Sequence, residues 1–142
     1  MKFLKILVAA VFLLAAGSAV AGKGGPIITG VWAGSGQAMY VDGTSAEIVS
    51  VYAELIQEGN FFSGFAVFEV TVGGTQFAQM SGHISGNAVT GVLGGCEGTA
   101  PDYYCVGAAI LEGKLSGNKL SGTVVDLSDG STSVITLHRL AD

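Results

Sequence analysis

Ser81-Gly82-His83-Ile84-Ser85-Gly86-Asn87-Ala88-Val89-Thr90-Gly91 reads the same outward from its centre in both directions. Ile84 mirrors Val89 across Gly86-Asn87, and Gly82 mirrors Gly91. The reflection recurs about Gly117-Asn118, where Leu115 matches Leu120 and Gly113 matches Gly122. A third copy, Gly59-Asn60, sets Gln57 against Phe62 and Leu55 against Gly64, a partial match. Gly-Asn between two alternating runs is a two-residue hairpin signal, because such turns need a positive φ that these residues accept at low cost. Antiparallel pairing demands reflection, since one face must be apolar on both strands. A parallel β-helix would repeat by translation instead.

Reading outward from these turns gives eight strands, at about 27–41, 47–58, 60–72, 75–85, 88–94, 106–116, 119–128 and 131–140. No clean helical periodicity interrupts them, and 23 glycines suit tight meanders better than helices. The first strand is long and is expected to bend at Gly34-Ser35-Gly36. Facing glycines let a sheet curve, and Tyr52, Phe62, Phe65 and Phe68 stand near enough to cover the gaps. An all-β, up-and-down antiparallel meander of eight strands removes its exposed edges by closing into a small barrel. The even strand number then puts both termini at the end that carries the three Gly-Asn turns. The opposite end collects Asp42-Gly43-Thr44-Ser45, Gly73-Gly74, the segment between Cys96 and Cys105, and Asp129-Gly130. A mouth at that end would be ringed by Asp42, Glu97, Asp102 and Asp129.

Residues 1–21 stand apart from this pattern. Lys2 and Lys5 precede an uncharged apolar run from Ile6 to Ala16, and Ala19-Val20-Ala21 supplies a small-x-small cleavage signal. This reads as a bacterial-type secretory signal peptide, since the run is too short for a membrane span of about 20 residues. The expected organisation is therefore a leader at 1–21, a flexible segment at 22–26 and a single barrel domain at 27–142, in the periplasm or outside the cell. Without the leader, four basic residues face 11 acidic ones, a formal charge of 4 − 11 = −7. That balance argues against nucleic acid and anionic membrane surfaces as partners. In an oxidising compartment Cys96 and Cys105 are read as a disulfide closing a short loop, worth about 2–3 kcal/mol on the chain-entropy model.

Catalytic chemistry finds little support. His83 and His138 have no matched carboxylate or cysteine in a metal-ligand or triad pattern, and His83 is expected on the outer face. No serine occupies a nucleophile-elbow phrase and no glycine-rich run joins a strand to a helix. Neither a cofactor nor a metal is expected. A binding role rests on shape, because eight strands enclose room for side chains or for one small ligand. The candidate lining residues are Tyr52, Phe62, Phe68, Val70, Met80 and Leu111, whose alternative role is a packed core. Asp126 shares the parity of Leu120, Gly122 and Val124, which points it inward near the mouth toward a polar ligand head or toward solvent. Glu69 is placed on the outer face.

Gly30-Val31-Trp32 on the first strand, with Arg139 near the end of the last, resembles the signature of calycin-type barrels such as lipocalins and avidins. The resemblance implies that Trp32 closes the barrel base under the Arg139 guanidinium, a favourable cation–π contact. With Trp32 the only tryptophan, the multi-tryptophan biotin site of avidins is not implied. The barrel shape is also similar to small periplasmic metalloprotease inhibitors, for which Gly22-Lys23-Gly24-Gly25-Pro26 would be the inserting arm, although the two cysteines lie late in this chain. The resulting expectation is a secreted, non-enzymatic binding protein, taking a small apolar ligand in the barrel or a protein partner at the loop end. Alternatives are a packed structural or inhibitor-like barrel and a small outer-membrane barrel. Apolar residues on both strand faces, such as Phe61, Phe65 and Val67 opposite Phe62 and Phe68, leave oligomer formation open.

Overall fold

In the computed structural model, residues 26–97 and 104–140 are described, with the backbone alone at 97 and 104–107. The expected leader at 1–21 and most of the 22–26 segment lie outside the described residues. Eight strands follow in order: β1 Gly30–Met39, β2 Ser45–Glu58, β3 Phe61–Val70, β4 Gly74–Ser85, β5 Ala88–Glu97, β6 Tyr104–Ser116, β7 Lys119–Asp126 and β8 Thr132–Arg139. Each pairs antiparallel with the next, and β1 pairs with β8 from Trp32↔Arg139 to Met39↔Thr132, which closes the barrel. The meander expected from the turn signals is the fold observed.

The mirror pairs are ladder partners. Ile84 faces Val89 and Gly82 faces Gly91 across β4 and β5. Leu115 faces Leu120 and Gly113 faces Gly122 across β6 and β7, and Gln57 faces Phe62 and Leu55 faces Gly64 across β2 and β3. The three turn glycines, Gly59, Gly86 and Gly117, hold φ of 62, 60 and 58°, the left-handed region that makes glycine the natural choice.

Each Gly-Asn turn also reaches sideways. The carbonyl of Asn60 accepts a hydrogen bond from the Ile84 amide at 2.8 Å, that of Asn87 from Leu115 at 2.8 Å, and that of Asn118 from Arg139 at 2.8 Å. Thus the β2–β3 turn ties to β4, the β4–β5 turn to β6, and the β6–β7 turn to β8. The Leu140 amide then bonds to the Val31 carbonyl at 2.8 Å and carries the ring round to β1.

The curvature is built by glycine at inward positions. At Gly82 an added Cβ would lie 2.1 Å from the Thr90 carbonyl oxygen and 2.6 Å from the Phe62 ring, and at Gly91 it would lie 3.2 Å from the same ring. Phe62, buried in the core, therefore covers the backbone of a glycine pair that has no side chains of its own.

Two boundaries differ from the sequence reading for physical reasons. β1 begins at Gly30, because residues 26–29 leave the sheet and Ile28 seals against the barrel end, fully buried. β5 and β6 extend further than expected, since a register shift between Leu93 and Gly95 lets the pairing continue to Glu97↔Tyr104. The bend expected at Gly34-Ser35-Gly36 is a register shift between Gly34 and Gly36 in the β1–β2 ladder.

Gly82→Ala is expected to destabilise by about 2 kcal/mol or more, because the backbone of β5 must move. Ser81→Ala, on the outer face of the same strand, should stay within about 0.5 kcal/mol of the parent. Urea midpoints of the two variants check this, and equal midpoints would contradict the account of the curvature.

Candidate functional site: a hollow at the loop end

Inward residues change size along the barrel. At the turn end they are large: Trp32, Leu55, Phe62, Ile84, Leu115, Leu120 and Leu137 are all buried. At the loop end many inward positions are small, with Gly36 and Ala38 on β1, Ala78 on β4, Gly95 on β5, Ala109 on β6 and Ser133 on β8 set between the larger Ile48, Phe68, Val70, Leu93 and Val124. Small side chains cannot reach the axis of an eight-stranded barrel, so that half stays hollow. The hollow measures about 820 Å³, within the size range of small-molecule sites.

Its wall is mixed: Ile48, Phe68, Val70, Leu93 and Val124 are apolar, and Tyr40, Thr75, Gln76 and Ser133 are neutral polar groups. Asp126, Ser128, Asp129 and Ser131 of the β7–β8 loop contribute its acidic edge. That loop is well held. The Asp126 carboxylate accepts from the Ser128 amide at 2.7 Å and the Ser128 hydroxyl at 2.5 Å, while Asp129 accepts from the Ser131 amide at 2.7 Å. Ser131 thereby holds the Asp129 carboxyl below its ordinary value, its side chain first and its amide second. Across the same end, the Thr44 hydroxyl and amide lower Asp42 in the same way, at 2.6 and 2.9 Å.

The opposite end is sealed. The Arg139 guanidinium lies 4.6 Å from the centroid of the Trp32 ring and donates to the carbonyls of Thr29 and Ile27. Trp32 Nε1 donates to the Ile28 carbonyl at 2.8 Å, and the Gln57 side chain accepts from the Ile28 amide at 2.8 Å. Gly30 has φ of 140°, and a Cβ there would sit 3.3 Å from Arg139 Nη1. A side chain there would be strained at this backbone angle and would press on the guanidinium.

The residues singled out in the sequence are spread over three regions. Phe68 and Asp126 lie on the wall of the hollow. Met80 and Leu111 are buried in the barrel interior, and Phe62 belongs to the packed turn end. Tyr52 is on the outer face, 37% exposed, with its hydroxyl 2.9 Å from Glu54; it does not line the interior, because its neighbours Val51 and Ala53 take the inward positions. Burial first, then the hydrogen bond and charge of Glu54, raise the Tyr52 hydroxyl above its ordinary value. His83, expected to be exposed, is half-buried and packs edge-on against Phe61 at 5.5 Å. Glu69 is exposed and accepts from the Ser50 hydroxyl at 3.3 Å. Cys96 and Cys105 are direct ladder partners. The side chain of Cys105 lies outside the described residues.

Sequence reasoning missed Ala38, Ala78 and Ala109, whose smallness makes the hollow. Their inward parity is a signal in the sequence, but a small inward residue looks the same there whether it lines a hollow or lets a neighbour pack over it. Among the described residues, no three His, Cys, Asp or Glu side chains gather as a metal site would require.

No family model matches the chain, and no curated protein matches it. Among solved structures it is similar to the crystal structure of Rv2717c from M. tuberculosis, with a TM-score of 0.48 and 14% identity, covering 80% of this chain and 93% of that one. That likeness carries no argument about function. The observed barrel is itself consistent with a calycin-type architecture.

Arg139→Gln is expected to cost about 2–3 kcal/mol, through the lost cation–π contact and weakened bonds to two carbonyls. Trp32 is the only tryptophan, so its fluorescence reports the loss directly as a red shift in the folded protein. The two lowered carboxyls set the sign of a pH effect. Their loop-holding contribution is present above the ordinary value of 3.8 and fades as pH falls through the lower folded-state values. The amide resonances of Thr44 and Ser131 should therefore titrate with midpoints below the ordinary carboxylate value, and a midpoint at or above it would contradict the two turns.

Proposed function

We propose that this chain is a secreted, non-enzymatic binding protein that holds one small, largely apolar molecule in the loop-end half of its barrel. The observation that carries this reading is the hollow of about 820 Å³, with apolar side chains and a polar rim in its lining, set above a packed and sealed base. A core left open at one end forgoes apolar burial worth about 25 cal/mol per Å². An occupant that covers the exposed wall restores that burial.

Secretion rests on the leader-like residues 1–21. The cysteine register supports the same compartment, since directly opposed Cα atoms in an antiparallel ladder are about 4.5–5.5 Å apart, within the span of a disulfide. We read Cys96 and Cys105 as that bond.

A protein partner is the second reading, favoured by the outer surface. Tyr52, Val67 and Phe77 are neighbours across β2, β3 and β4 on the outside of the barrel, and Phe77 is 49% exposed. Native mass spectrometry of protein purified from its own host separates the two. A small adduct that Ala78→Phe removes, with the fold intact, supports the ligand reading. A dimer or protein complex without any adduct, unaffected by that substitution, overturns it. The same spectra should show a chain starting at Gly22 and two hydrogens lighter than its reduced form.

A further inference from the structure

Among the described residues, cationic side chains are confined to one end of the barrel, whereas carboxylates stand at both, with Glu58 and Glu112 toward the turn end. Lys114, Lys119, His83, His138 and Arg139 all lie at the turn end: Lys119 pairs with His138, Lys114 with Ala88, and His83 with Phe61. Arg139 is engaged with Trp32 and two carbonyls. The sequence holds no Lys or Arg between residues 24 and 113, nor between 120 and 138. Lys23 lies outside the described residues. At the loop end stand Asp42, Glu47, Glu69, Asp126 and Asp129, and the last two contribute to the hollow itself. Both Asp42 and Asp129 are held ionised by hydrogen bonds to their own loops.

We propose, on the reading of the hollow as a ligand site, that it selects by head-group charge: it takes amphiphiles with a neutral or cationic head and rejects those headed by carboxylate, sulfate or phosphate. An apolar tail fits against Ile48, Phe68, Val70 and Leu93, which place no condition on the head. The head meets Tyr40, Gln76 and Ser133, which are neutral, and then the Asp126–Asp129 loop. An anionic head entering there leaves water without gaining a cation, an uncompensated cost. It also approaches fixed negative charge along a low-dielectric wall, where fields are focused. A cationic head gains from the same field, and a neutral one hydrogen-bonds and is otherwise indifferent to it.

A matched decyl series tests this by calorimetry below micelle-forming concentrations: decyltrimethylammonium, decanol and decanoate, at low and at raised salt. The expected result is binding of the first two, with decanoate roughly tenfold weaker than the cation at low salt, and a gap that narrows as salt screens the rim. Asp126→Asn with Asp129→Asn should shrink that gap several-fold and leave decanol within about twofold. Should the double variant disturb its loop, Ser133→Lys puts a cation on the wall and should raise decanoate above decyltrimethylammonium. Decanoate binding within about threefold of the cation overturns the charge selection while leaving the ligand site standing. A gap that persists in the double variant, or an order unmoved by Ser133→Lys, overturns it as well. Failure of all three probes to bind overturns the selection together with the ligand reading beneath it.

Discussion

Eight strands closed in a circle set a bore of nearly fixed width, and the inward side chains at each level decide whether it is filled. In this chain that one constraint is met in two ways. At the turn end Trp32, Leu55, Phe62, Leu115 and Leu120 meet across the axis and exclude water. At the loop end Ala38, Ala78 and Ala109 stop short of it, and the same circle of backbone encloses about 820 Å³ instead. The sheet does not need the hollow half to be packed in order to close, because closure is secured by the β1–β8 ladder and by the ring of turn contacts. Packing and cavity coexist because they are assigned to different ends.

Among the described residues, the cations sit where the barrel is packed, and the hollow end is left to carboxylates. A sealed base can accept Arg139 because its guanidinium finds two carbonyls and an indole face, so its charge is compensated where it is least hydrated. The open end has no such partners to offer. There the carboxylates of Asp42, Asp126 and Asp129 are satisfied by short turns of their own loops and remain at the water interface. Each loop carboxylate therefore has two effects, fixing its turn and adding to the field over the hollow.

Architecture was legible in the sequence because hairpin pairing writes itself as reflection. Gly82↔Gly91 and Gly113↔Gly122 could be read before any coordinate, and they are ladder partners. The wall of the hollow was much less legible. Asp126 and Phe68 were reachable by parity along a single strand. Met80, Leu111 and Phe62 share that parity yet lie too deep, since alternation gives a residue's face but not its depth along the axis. Tyr52 was misplaced because the irregular β2–β3 register between Ile48 and Ser50 interrupts simple alternation near it. The backbone hydrogen bonds of the Gly-Asn turns to their next neighbours were not legible at all, because a carbonyl reaching across to β4, β6 or β8 leaves no mark on residue type.

Those sideways bonds give the repeated phrase a meaning beyond turning the chain. In a barrel the strands tilt, so successive turns at one end are staggered, and each leaves a free carbonyl beside the end of the following strand. The Asn60, Asn87 and Asn118 carbonyls fill that role three times, each at 2.8 Å, and each accepts from a residue of the sealed base: Ile84, Leu115 and Arg139. The third bond fixes the backbone of the residue whose guanidinium covers Trp32. A turn that holds its left-handed glycine thus positions the next strand end, and the last strand end positions the plug. The rigidity concentrated there allows the opposite end to remain hollow without loosening the sheet, because the register that both halves share is set at the turn end.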